Sequence, residues 1–124
     1  MADHILMREV KITTTGGAGV ANGEGIISDV RGFLLAIYLN WHASAPATSV
    51  PTIKYRNPGM GNILVAPAGN IDTLYEPRKE ICTESGVATG LYDYFPLAGE
   101  LEIEVATCNA LTDALVATLI YASY

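Results

Sequence analysis

Charge is scarce in this chain. Only 16% of its 124 residues are Asp, Glu, Lys or Arg, against about 25% in an ordinary globular domain. The 7 basic residues, Arg8, Lys11, Arg31, Lys54, Arg56, Arg78 and Lys79, are scattered in ones and twos. Nucleic acid and anionic lipid both demand a dense cationic footprint, so neither is an expected partner. Histidine is also sparse. His4 and His42 stand apart, with no metal-ligand spacing around them, whereas a zinc site needs three or four convergent ligands. Two cysteines, Cys82 and Cys108, are too few for a disulfide scaffold. They are expected as free, small buried hydrophobes, with a pairing left open should their strands lie side by side.

Long hydrophobic runs are missing too. No apolar stretch approaches the roughly 20 residues of a membrane-crossing helix. Met1–Val10 has no basic leader and only a three-residue apolar run, so it does not read as a signal peptide, and folding in the cytosol is expected. Helical periodicity is hard to find, and 12 glycines with 6 prolines interrupt the chain too often for long helices.

What remains is β chemistry. Half the residues are hydrophobic, and short runs recur between turn residues at the spacing of two-layer all-β folds. Arg8–Thr15 alternates and then turns at Gly16–Gly19. A run around Gly25–Ser28 ends at Asp29. Val50–Arg56 is closed by Asn57-Pro58-Gly59, and Met60–Ala66 and Asp72–Tyr75 follow. Thr83–Gly90 reads as a mobile surface loop, and Tyr92–Leu97 as an aromatic extended edge. Glu100–Thr107 alternates most clearly, with Leu101, Ile103 and Val105 inward. Glu100, Glu102 and Glu104 are then the solvated face of an outer strand, where like charges discourage edge-to-edge aggregation, or the match for a basic patch on a neighbour. Ala114–Tyr121 is expected to return beside it as an antiparallel partner. The prediction is one domain over residues 1–124: an all-β, two-layer antiparallel β-sandwich, jelly-roll-like, of about eight strands. Residues 1–8 are expected as an extended N-terminal arm.

The stretch Gly32–Trp41 carries most information. Strict alternation points Phe33, Leu35, Ile37, Leu39 and Trp41 one way, and Leu34, Ala36 and Tyr38 the other. Both faces are apolar, although an antiparallel sheet in a lone soluble domain usually has one polar face. The pattern returns at Leu115, Leu119 and Tyr121 against Val116 and Ile120. Such strands are central in a sandwich or covered by another subunit.

No catalytic constellation emerges. Thr15–Gly25 is glycine-rich but lacks the Lys-Ser/Thr of a phosphate loop and precedes no helix, so it reads as a connection between strands. Nothing marks a nucleophile elbow. No catalytic, cofactor-binding or metal-ligating residue is assigned, no cofactor is expected, and an enzyme is the least expected class. The aromatics Trp41, Tyr75, Tyr92, Tyr94 and Phe95 suit packing, with a carbohydrate or peptide site as the other use of such rings.

The order of segments then matters. Val10–Gly19, Ser28–Ile37, Tyr75-Glu76-Pro77-Arg78 before a small polar loop, and Leu97–Val105 leading to a closing strand resemble, in layout, small structural proteins encoded near the major capsid gene of tailed bacteriophages. The resemblance implies a virion component without chemistry of its own, foremost a head decoration (cement) protein. Its partners would be further copies of itself, as a trimer on local three-fold points, and the major capsid protein or another virion protein, bound at many equivalent sites. The candidate interface residues are Leu34, Tyr38, Trp41, Tyr75, Arg78, Val116 and Ile120. A tail, neck or fibre-associated component, and a glycan-binding module, are the other readings.

Overall fold

The computed structural model describes residues 4–123. They form nine strands: β1 (His4–Ile12), β2 (Ala21–Trp41), β3 (Val50–Tyr55), β4 (Asn62–Val65), β5 (Thr73–Tyr75), β6 (Arg78–Cys82), β7 (Ala88–Tyr94), β8 (Pro96–Cys108) and β9 (Leu115–Ser123). Every pairing among them is antiparallel. The expected all-β sandwich is therefore present, with one strand more than foreseen.

β2 organises the molecule because it serves both layers. Its first half pairs β8 from Ala21 to Phe33, and its second half pairs β9 from Phe33 to Trp41. The sheet order is β1-β9-β2-β8-β3-β4, with β5 on the free edge of the second half of β2. One layer is thus β4-β3-β8-β2 and the other β1-β9-β2-β5. A strand that changes layer needs a corner. Here a register shift lies between Ile27 and Val30, Asp29 has φ 57°, and Gly32 has φ 126°. Gly32 is also the point of closest approach to β9, where a Cβ would run into the Ala122 carbonyl.

The layers close because the inner face of β2 is notched. A Cβ on Gly25 would sit 2.6 Å from Val10 Cγ2 and 3.1 Å from Ile12 Cγ1, so glycine makes room for β1 to lie across the strand. Ile12, Ile27, Val30, Ile37, Leu39, Ile53, Leu101, Ile103, Leu115 and Leu119 fill the interior. No buried side-chain polar atom among the described residues lacks a partner.

Several expectations need correction. Gly25–Ser28 and Gly32–Trp41 are one strand, because the backbone bends through Asp29 and Gly32 without breaking the ladder. The expected C-terminal hairpin does not form: β8 lies between β2 and β3, and β9 between β1 and β2. β8 is consequently interior to its sheet, so its glutamates guard no edge. Of the expected N-terminal arm, residues 1–3 lie outside the described residues, and from His4 onward the chain is laddered to β9, His4 opposite Ser123. The expected loop Thr83–Gly90 is the tip of the β6–β7 hairpin, tied by Thr83 N–H to Val87 O at 2.9 Å and Gly86 N–H to Thr83 O at 2.9 Å. Cys108 is buried as expected, but Cys82 is exposed on that hairpin, and both thiols are free.

Candidate functional site

The two outer sheet faces differ sharply in chemistry. On the β3–β8–β2 layer, alternation sends Glu100, Glu102 and Glu104 outward while Leu101, Ile103 and Val105 are 0–1% exposed. Lys54 stands opposite Glu102 in the ladder. Its Nζ lies 3.1 Å from Glu102 and 2.8 Å from Glu104, and those two hydrogen bonds raise its pKa above the usual lysine value. Arg56 donates to Glu100 Oε2 at 2.8 Å. The basic match for these glutamates, left open to a neighbour by the sequence, is in the same chain. Glu24, Glu102 and Glu104 do converge within 4.8 Å, and Lys54 bridges two of them, Glu102 and Glu104. This face is acidic and laced by ion pairs within the chain.

The opposite face, on β5–β2–β9–β1, carries few charges. Cross-strand neighbours share a face, and the register gives three rows. The first runs Leu74–Tyr38–Thr118–Glu9, the second Ala36–Ile120–Met7, the third Asn40–Val116–Lys11. Met7 is 66% exposed, Leu74 53% and Tyr38 37%, while Val116 and Ile120 are half-buried. Among the described residues of these rows, charge appears only at the β1 rim, as Glu9 and Lys11. Three of the seven sequence-chosen residues, Tyr38, Val116 and Ile120, are brought together here.

Leu34 is not among them. It is fully buried, because a β-bulge between Leu34 and Ala36 inserts an extra residue and reverses the in–out phase. Leu34 thereby joins Ile37, Leu39 and Trp41 on the core side. An unbroken period of two places it wrongly.

The bulge has a second consequence at Arg78. The Leu35 carbonyl there accepts from Arg78 Nη1 at 3.0 Å, and the same nitrogen donates to Pro77 O at 2.9 Å. The guanidinium lies 4.3 Å from the Tyr94 ring centroid, with Glu76 at 3.7 Å. Arg78 therefore clamps the base of the β6–β7 hairpin to β2. Beyond that clamp the hairpin has no core. All seven residues of β7 are exposed, including Leu91 and Tyr92 at 62% and 63%, and Val87 and Ile81 are exposed as well.

Trp41 and Tyr75 are brought together in a third place. With Leu39, Pro51, Ala68 and Ile71 they line a groove of about 350 Å³, and none of its lining side chains among the described residues is charged. The Asp72 carboxylate, accepting from Trp41 N–H at 2.8 Å, ties the loop before β5 to the end of β2. Leu74, Met7, Leu91 and Tyr92 are the interface candidates that the sequence-chosen set omits. Their signal was present as the Ile5-Leu6-Met7 run and the Tyr92-Asp93-Tyr94 cluster.

The remaining sequence candidates have local roles. His42 Nδ1 accepts from Ser44 N–H at 2.9 Å in an exposed loop, and His4 lies at the start of β1. The glycine-rich connection is pinned by Gly19 N–H to Asn109 Oδ1 at 2.9 Å and by the Thr15–Asn22 bridge. It leads into a strand. No helix among the described residues is long and apolar enough to cross a membrane.

No protein-family description matches the chain, and no curated protein matches it. Among solved structures it is similar to the crystal structure of the enzymatically active domain of tailspike protein 4 of bacteriophage CBA120. The TM-score is 0.40 at 15% identity, covering 97% of this chain and 19% of that one. The chain spans about a fifth of that protein's matched chain. A likeness this distant assigns neither activity nor substrate.

Proposed function

We propose that this chain is a structural component of a bacteriophage particle, foremost a head decoration protein, which docks through the apolar outer face of its β5–β2–β9–β1 layer. The observation that carries this reading is the asymmetry of the sandwich. One outer face is charged, with Glu100, Glu102 and Glu104 paired to Arg56 and Lys54 of the same chain. The other leaves Met7, Tyr38 and Leu74 in water. Contiguous apolar surface of that kind marks an interaction site. The layout of segments, similar to small proteins encoded beside major capsid genes, supports placing it on a virion. Weak contact at one face becomes firm when many copies meet a repeating shell.

Sedimentation with expanded, undecorated heads tests the placement. Stoichiometric cosedimentation with heads is the expected outcome. Binding to tails and not to heads transfers the reading to a tail or neck component. Glycan-array binding that is lost in Tyr94→Ala, with no binding to either particle, overturns it in favour of a sugar-binding module.

A further inference from the structure

β5 has two sides, and only one belongs to the apolar face. Leu74 stands beside Tyr38 there. Strict alternation turns Thr73 and Tyr75 the other way, into the groove that they share with Trp41. Trp41 ends β2 and is nine-tenths buried, at 9% exposure. Its backbone N–H is taken by Asp72. Its indole N–H has no hydrogen-bond partner among the described residues, although none of their buried polar side-chain atoms is orphaned. The indole nitrogen therefore touches water, and the groove is the opening that Trp41 lines. A buried tryptophan usually finds a partner for that N–H. Two more groups of the groove are unfilled: the Tyr75 hydroxyl and Asn70 Oδ1 have no partner among the described residues, while Asn70 Nδ2 donates to Ala45 O at 2.8 Å.

These three groups define the ligand by elimination. A hydrocarbon would strip water from them and return no hydrogen bond. An anion would meet Asp72, exposed between the groove residues Ile71 and Thr73, on a chain of net charge −6. Asp72 draws a cation to the rim, but holding one in the groove needs the faces of aromatic rings. Trp41 instead turns its N–H edge outward, the positive side of the ring quadrupole. An extended peptide needs main-chain partners. Around the groove these are committed: Ala66 N–H to Pro51 O, Gly69 N–H to Ser49 O and Trp41 N–H to Asp72. What fits is a neutral ring, apolar on one face and hydroxylated at its edge. The volume of about 350 Å³ lies at the small end of ligand sites, roughly 300–1,000 Å³, and suits a mono- or disaccharide.

We infer that the Trp41–Tyr75 groove is a binding site for a neutral pyranose sugar, which packs on the Tyr75 ring and accepts a hydrogen bond from the Trp41 indole N–H. The site goes beyond the docking role and does not rest on it, because Thr73 and Tyr75 point away from the face that carries Leu74, Tyr38 and Met7. Asp72 is a positioning residue: by holding the Trp41 backbone it fixes the ring that supplies the donor. A preformed groove loses little conformational freedom on binding.

Trp41 is the single tryptophan, so its emission reports occupancy directly. Titration of the intact chain with glucose, galactose, N-acetylglucosamine and lactose is expected to give a saturable shift for at least one of them, with a dissociation constant of about 1 mM. Glucuronate, choline and a proline-rich peptide are the anionic, cationic and peptide probes, each expected to bind about 10-fold more weakly or worse. Ala68→Phe fills the groove from an exposed position and is expected to abolish the shift. Tyr75→Ala is expected to do the same, and Tyr75→Phe, which keeps the ring, to weaken binding only several-fold. Circular dichroism checks each fold, and Ala68→Phe decides the matter should Tyr75→Ala not fold. No saturable shift with any of the four sugars overturns the site, as does unchanged sugar binding by Ala68→Phe. Tighter binding of glucuronate, choline or the peptide than of every neutral sugar overturns it too. So does sugar binding that Tyr94→Ala abolishes and Tyr75→Ala spares. Cosedimentation of Ala68→Phe with heads is expected to match that of the unmodified chain; its loss would assign the groove to docking instead.

Discussion

Leu34 shows how one inserted residue decides what a side chain does. Counted by twos, it shares a face with Tyr38. The bulge before Ala36 turns it inward, where it is fully buried beside Ile37 and Tyr121. Truncation there leaves a cavity that a two-layer core cannot collapse around. Leu34→Ala is expected to cost about 3 kcal/mol of stability, read as a lower denaturant midpoint with an unchanged slope. A shift under about 1 kcal/mol would mean that Leu34 is not a core residue. Gly32 is decisive in the opposite way, through what it lacks: its φ of 126° and its approach to Ala122 exclude a side chain. Arg78 belongs to the same scale, since one guanidinium satisfies the carbonyl that the bulge frees and fixes the hairpin.

Among the elements, β3 couples the charged face to the core, and its chemistry predicts an alkaline limit. Tyr55 is buried and donates its hydroxyl to Pro96 O at 2.7 Å. Burial raises its pKa above the usual 10.0. The neighbouring Lys54 is raised above 10.5 by its two glutamates. In both cases folding favours the protonated form. The stabilisation is therefore complete below the unfolded values and is lost as pH rises through the higher folded ones. Thermal midpoints are expected to be flat up to about pH 10 and to fall above it. Tyr55→Phe is expected to start lower and to decline less steeply. An equally steep decline in a chain carrying Tyr55→Phe and Lys54→Met would show that other groups set the limit. The elements also explain what could be read in advance. β3 and β8 were legible because one side is core and the other water, so hydrophobicity alternates with the pleat. The β6–β7 hairpin was not, because both its sides are wet and leave no alternation. β2 was split in two because Asp29 and Gly32 have turn chemistry, while the backbone uses them for a corner. The partners of β8 and β9 were misassigned because alternation specifies a face, not a neighbour.

For the whole molecule, the separation of surfaces matters more than any one residue. The sandwich presents a salt-bridged face, an apolar face and a clamped apolar hairpin, and Tyr38, Val116 and Ile120 were legible as part of the second. The groove was not legible, because Trp41 and Tyr75 meet only when β5 adds to the edge of β2. The central claim is that the apolar face is covered in the particle. Hydroxyl-radical footprinting of the isolated chain and of the chain in assembled particles tests it most directly. The account predicts strong protection of Met7, Tyr38 and Leu74 in the particle, with Ile26 on the charged face still oxidised. Equal oxidation of Met7, Tyr38 and Leu74 in both states would contradict it.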